Sequence, residues 1–325
     1  MWPVTFRDIL DAEHRVRPLI PPTALRGYPA LDEIAGATVL VKHENHNPTN
    51  SFKARNGVSL ITSLTDAQRR RGVVAATRGN HGQGVAWAGR ELGVAVTVCV
   101  PVGNNPEKNE AMRGFGATLI ERGRDYDEAV AIAHELVERD GLHMAHSTND
   151  PAVIAGAGTF ALEVLRDQAP ELDAMVIAVG GGSQAVGAMT VARELCPSLE
   201  VYAVQAERAA AIHDSWHAKQ PLTRDSADTI ADGLATRSTY PLTFGALCEG
   251  LADFVTVSEE AIEDAMRVVL RTTHQLVEPA GAAGLAGLLA LRDRLAGKRV
   301  GIVLSGGNVD RDTLRRAVCS TMDGA

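Results

Sequence analysis

Lysine is scarce in this chain, cysteines are few, aromatic residues make up only 4%, and no long apolar run occurs. Each shortage removes a class of function. Cys99, Cys196, Cys248 and Cys319 lie far apart with no Cys-x-x-Cys pair, so neither a disulfide framework nor a thiolate metal site is expected. A reduced, cytoplasmic setting fits that usage. There is no basic excess either. The formal net charge of −8 argues against nucleic acid or an anionic membrane as the main partner and leaves a small molecule. No stretch approaches the ~20 apolar residues of a membrane span, and the start Met1-Trp2-Pro3-Val4 has no basic region leading into an apolar run. What remains is a 325-residue chain with 45% hydrophobic content, long enough for two compact subdomains with real cores.

Short β-branched runs alternate with helical patterns. Strands are expected at Thr38 to Lys42, Val73 to Ala76, Ala95 to Val100, Ala117 to Ile120, Met175 to Val179, Val201 to Gln205 and Arg299 to Leu304. Between them, Asp127 to Arg139 and Glu259 to His274 repeat their apolar residues at helical spacing. This grammar predicts an α/β protein with largely parallel sheets. No long linker, low-complexity segment or internal repeat marks a boundary.

In parallel α/β sheets ligands bind where strands end and helices begin, because backbone N–H groups and the helix dipole converge there. Four such turns stand out. Gly180-Gly181-Gly182-Ser183-Gln184 follows an apolar strand and leads into a helix expected from Ala185; its glycines let backbone amides approach an anion, so it reads as a phosphate site. A sharp ligand-free turn would look the same, and the string also fits a dinucleotide pattern with Glu200 as the ribose acid. Asn47 to Lys53 is a polar turn in which Asn50 or Ser51 would cap a helix and Phe52 and Val58 would anchor its apolar side. A lysine at a helix N-terminus is not what the dipole favours. Desolvation and nearby positive potential would lower the pKa of Lys53, as suits an amine that forms a Schiff base. A solvated surface lysine is the plainer alternative. Thr77-Arg78-Gly79-Asn80-His81-Gly82 offers donors for a carboxylate or a phenolic oxygen, and Ser305-Gly306-Gly307-Asn308 follows the last apolar strand.

Together these turns resemble the fold-type II pyridoxal-phosphate enzymes, and among them the serine/threonine dehydratases. Thr49-Asn50-Ser51-Phe52-Lys53-Ala54-Arg55 is similar to the family's Schiff-base motif, and Thr77 to Gly84 to its Ser-x-Gly-Asn-His-x-Gln-Gly loop. Thr229 to Gly233, Glu278 to Ala282 and Leu304 to Asn308 complete the set in the family's order. The resemblance implies a tryptophan synthase β-like fold, with two open, mostly parallel sheets and flanking helices. Residues 1–70 and 150–325 would form a large cofactor domain and residues 71–149 a small substrate-side domain. The implied cofactor is pyridoxal 5'-phosphate. Lys53 would carry it, beside Phe52 and Glu278. Asn80 would bond its ring hydroxyl, Gly180, Gly181, Gly182, Ser183 and Gln184 would hold its phosphate, and Ser305 would face the ring nitrogen. Thr77, Arg78, Asn80 and His81 would bind the amino-acid substrate. The implied reaction is β-elimination from a 3-hydroxy amino acid such as threonine, serine, 3-phenylserine or hydroxyaspartate, giving a 2-oxo acid and ammonia. The implied assembly is a homodimer.

The departures from the family bear on the substrate. Arg78 stands where racemases of the family use a serine as acid/base; a guanidinium stays protonated, so racemisation is disfavoured. Arg78 would pair with the cofactor phosphate, with a substrate carboxylate, or with structural acids. The phosphate is preferred because it is present in every cycle. His146 to Asp150 replaces the usual His-Pro run and alters the substrate-side wall. Ala211 stands where some relatives place a metal-binding Asp, so no divalent-metal site is expected. The chain ends soon after Asn308, without room for a C-terminal regulatory domain. The rivals are β-replacement by the same cofactor, a nicotinamide-dependent oxidoreductase, and a non-catalytic cofactor-binding protein.

Overall fold

The structure is a computed structural model describing residues 2–169 and 171–319. Its strands are β1 (Leu25–Gly27), β2 (Thr38–Lys42), β3 (Val73–Ala76), β4 (Val96–Val100), β5 (Thr118–Glu121), β6 (His143–Met144), β7 (Ala174–Ala178), β8 (Glu200–Ala206), β9 (Asp253–Val257) and β10 (Arg299–Val303). They form a six-stranded sheet, ordered β1-β2-β10-β7-β8-β9, and a four-stranded sheet, ordered β5-β4-β3-β6. Among the described residues only β1 runs antiparallel to its neighbour. These are the two open, mostly parallel sheets with flanking helices that the resemblance implies. Strands such as β3 (Val-Val-Ala-Ala) are buried on both faces, which is why they read as unbroken apolar runs and not as alternating ones.

All seven expected strands form within a residue or so of their forecast ends. The helix expected at 127–139 spans Tyr126–Asp140, begun by the Asp125 side chain accepting the Glu128 N–H and ended at Gly141 with φ +67°. The one expected from Glu259 spans Glu259–Thr273, with Ser258 as its cap.

The six-stranded sheet carries an apolar core on each face. Pro279–Ala290 and Glu259–Thr273 pack on one, and Pro151–Leu162 and Ser183–Leu195 on the other. The core under the four-stranded sheet also draws in Val16, Ile20, Ala54, Val58 and Ile61. The packing of the smaller unit therefore reaches back before residue 71, through the helix Lys53–Ser63. That helix lies against Asn80–Leu92 at backbone contact: a Cβ on Gly57 would stand 2.3 Å from the Gly84 carbonyl oxygen, and one on Gly84 2.3 Å from that of Lys53.

Candidate active site

All four unusual turns follow the carboxyl ends of parallel strands: Asn47 to Lys53 after β2, Thr77 to His81 after β3, Gly180 to Gln184 after β7, and Ser305 to Asn308 after β10. Two of them are zipped together. Ser51 bridges Gly306, and the Phe52 N–H donates to the Ser305 carbonyl at 3.0 Å.

Lys53 is the first residue of its helix. The expected cap by Asn50 or Ser51 takes another form: Phe52 occupies the cap position with helical backbone and no side-chain cap bond. Asn50 instead reverses the chain at φ +52°, a conformation asparagine tolerates, while the Ser51 hydroxyl accepts the Lys53 N–H at 3.3 Å. The Lys53 amine donates to the Ser147 carbonyl at 3.0 Å and sits 4.8 Å from the centre of the Phe52 ring. No carboxylate accompanies it. Burial alone pushes its pKa down to about 8.

Asn80 is held from both ends of its amide. Its Oδ1 accepts from Asn308 Nδ2 at 2.7 Å, and its Nδ2 donates to Glu278 Oε1 at 2.5 Å, leaving one N–H of the amide unspent. Glu278 is buried, and burial raises its pKa against the opposing pull of Lys108 and Asn80.

In the glycine turn, a Cβ on Gly180 would stand 2.1 Å from the Gly233 carbonyl oxygen and one on Gly181 2.0 Å from Thr148 Oγ1. Gly182 sits at φ +94°. The helix begins at Ser183, two residues before the expected Ala185, so the N–H groups of Ser183 and Gln184 belong to its open first turn. Gln184 Nε2 is buried without a hydrogen-bond partner. Unpaired backbone donors, a polar side chain awaiting a partner and the positive end of a helix suit a phosphate. The Ser305 hydroxyl, in a residue 7% exposed, makes no hydrogen bond among the described residues and suits a neutral contact to a ring nitrogen. These residues fit pyridoxal phosphate.

On the opposite wall, Thr77 Oγ1 accepts the Gly79 N–H at 3.1 Å and keeps its own proton to donate. His81 Nε2 donates to the Ala145 carbonyl at 2.7 Å, and burial, with the Lys53 charge, holds the ring neutral at a pKa of about 3. Its side chain has no donor left for a carboxylate; the donors at this spot are the backbone N–H groups of Asn80 and His81 in the first helical turn. Arg78 is exposed and forms no ion pair among the described residues. Burial raises the Tyr126 pKa, and the Arg78 charge pulls against it. Glu200 lies at the start of β8, paired with Lys298 at 2.6 Å, whereas a ribose-binding acid must stand at a strand's carboxyl end. The dinucleotide reading loses its acid.

Several neighbours carry no role in the sequence reading: Ser147 under the Lys53 amine, Thr148 against Gly181, Asn308 behind Asn80, and His146. The unusual string His146 to Asp150 was the available signal. Which of its atoms face the amine is a matter of long-range folding.

The sequence pattern described as pyridoxal-phosphate dependent enzyme matches residues 16–306. The chain is 35% identical over 315 residues to L-threonine ammonia-lyase of Thermotoga maritima, covering 97% of this chain and 78% of that one. It is 32% identical over 320 residues to L-threo-3-hydroxyaspartate ammonia-lyase of Saccharomyces cerevisiae, covering 98% of both. The serine racemase of Dictyostelium discoideum superposes with a TM-score of 0.88 at 32% identity, covering 95% of this chain and 99% of that one. With a matching pattern over most of its length and the residues to receive the cofactor, the chain belongs to the pyridoxal-phosphate dependent enzyme family.

Proposed function

We propose that this protein removes water from a 3-hydroxy amino acid and releases a 2-oxo acid and ammonia. The observation that carries the reading is the Lys53 amine: desolvated, without a carboxylate partner, bonded to the Ser147 carbonyl, with its charge felt at His81 and its helix start tied to Ser305. Pyridoxal phosphate, when bound, supplies electron withdrawal from the substrate's Cα. The rest falls to the chain. Gly180 to Gln184 hold the phosphate, and the unspent N–H of Asn80 holds the ring hydroxyl oxygen, with Glu278 and Asn308 fixing the amide. Ser305 meets the ring nitrogen as a neutral partner, which leaves electron withdrawal moderate and favours prompt loss of a β-substituent. The Thr77 hydroxyl and the Asn80 and His81 backbone N–H groups bind the α-carboxylate, and Lys53 removes the α-proton.

Arg78 reads the substrate side chain in this scheme. It follows β3 of the four-stranded sheet and its charge is felt at Tyr126, whereas the glycine turn follows β7 of the six-stranded sheet. We place the catalytic cleft between a large domain of residues 1–70 and 150–325 and a small domain of 71–149, in a homodimer working in the reduced cytoplasm. In support, no two cysteines form a disulfide among the described residues, and no described helix is long and apolar enough to cross a membrane.

The test is a screen of threonine, serine, 3-phenylserine and 3-hydroxyaspartate for 2-oxo acid release, with serine followed for inversion and O-acetylserine plus sulfide for β-replacement. Release from at least one hydroxy amino acid is expected. Silence from all four, or inversion or replacement alone, overturns the reading.

A further inference from the structure

We propose that His146 is a further catalytic residue, donating a hydrogen bond from Nε2 to the departing β-oxygen of the substrate. The proposal rests on the elimination reading above.

The ring's proton is placed by the backbone. His146 Nδ1 accepts the N–H of Thr148 at 3.0 Å and that of Asn149 at 2.8 Å. A nitrogen that accepts cannot also carry the proton, so the neutral ring bears it on Nε2. The ring stays neutral, because burial and then the neighbouring Lys53 charge push its pKa below the usual histidine value. Its orientation is fixed as well: the ring packs edge-to-face on Tyr240, with centres 5.6 Å apart and planes at 80°. Nε2 itself has no partner among the described residues. His146 thus presents a single, preset donor with nothing in the protein to satisfy it.

The location limits what that donor meets. Ser147 receives the Lys53 amine through its carbonyl, and Thr148 closes on Gly181, so the segment 146–148 walls the cleft between the amine and the glycine turn. The donors for the α-carboxylate lie elsewhere, at the start of the helix Asn80–Leu92, with His81 turned onto Ala145. The substrate oxygen left for His146 is the one on Cβ.

The step balances with groups already present. Lys53 takes the proton from Cα, and that electron pair becomes the Cα–Cβ double bond. The Cβ–O bond breaks with its electrons on oxygen, and Lys53 returns the proton to that oxygen, so water leaves. His146 keeps its proton throughout; its Nε2–H stabilises the charge that builds on the oxygen as the bond stretches, as a preorganised oxyanion donor does.

Two variants separate the donor from the loop it supports. In His146→Asn, the shorter side-chain carbonyl still accepts the Thr148 and Asn149 N–H groups as an Asx turn, but the distal donor is gone. In His146→Gln, an N–H remains near the position of Nε2. Each is assayed as holoenzyme on L-serine and on β-chloro-L-alanine, whose chloride leaves without needing a donor. His146→Asn is expected to lose about 100-fold in kcat/KM on serine while staying within about 3-fold on β-chloroalanine, and His146→Gln to recover most of the loss. Equal loss on both substrates, or no loss on serine, overturns the role of His146 alone. A wild-type enzyme that converts β-chloroalanine but no hydroxy amino acid overturns this inference together with the dehydratase reading.

Discussion

An amine buried without a counter-ion gives up its proton more readily than one in water, and Lys53 sits at about 8 for that reason. Only the unprotonated amine attacks the cofactor's carbonyl. The rate at which apo-protein captures pyridoxal phosphate should therefore climb as pH rises through about 8 and level off above it; stopped-flow absorbance measures this, and a climb that continues to a break near 10.5 would mean a solvated amine. Arg78 is tested by Arg78→Ala. Loss of a charge-assisted contact on the order of 1.5–3 kcal/mol should raise KM by roughly ten- to a hundred-fold, most for a substrate with a second carboxylate, with cofactor retention unchanged. Cofactor loss with unchanged KM would assign Arg78 to the phosphate. At this scale the sequence marked the short strings that the fold sets at strand ends, those of Lys53, Asn80 and the three glycines, and their roles there are the proposal. It offered His81 as a substrate ligand and Glu200 as a ribose acid without foreseeing that the His81 ring is spent on Ala145 or that Glu200 pairs with Lys298, 98 residues away. Those outcomes depend on which distant atom arrives.

The helix that begins at Lys53 is fixed by charge as well as by packing. Arg55, 1% exposed, donates to Glu44 at 2.7 Å and to Glu163 at 2.6 Å, and Glu163 also takes the buried Lys42 amine at 2.6 Å. A π-helical stretch over Glu163–Gln168 lets both of its end residues reach Lys42. Two cations and two carboxylates cancel in a buried site, so removing one leaves a charge uncompensated. Arg55→Met should cost about 3–5 kcal/mol in denaturant unfolding. A loss below about 1 kcal/mol would show the cluster to be hydrated or adaptable. Elements themselves were readable where period and composition agreed, as in β2 and β3. Three strands escaped: β1 and β6 are three and two residues long, and β9 is an edge strand with an irregular burial pattern.

Across the whole molecule, the unit built on the four-stranded sheet is tied to the rest by ion pairs at its rim: Lys108 with Asp232, Asp127 with Arg237, and Glu107 with Arg311. The two exposed pairs contribute about 0–1 kcal/mol each, enough to bias a cleft and too little to lock it, and Lys108 is the more buried partner of the third. Lys108→Met should speed hydrogen exchange in Pro106–Gly114 while leaving the core strands β7 and β10 unchanged; equal rates in wild type and variant would mean that the pair carries no weight. The proposed dimer is checked by sedimentation, where a strict monomer would contradict it. The ion pairs were not visible in composition, because they depend on how surfaces meet after the chain has folded.

The most direct test of the central claim is to reduce the purified, cofactor-loaded protein with borohydride and map the modified peptide by mass spectrometry. The expected result is a single pyridoxyl label on Lys53. A label on Lys42, Lys108, Lys219 or Lys298, or none on any lysine, would contradict it.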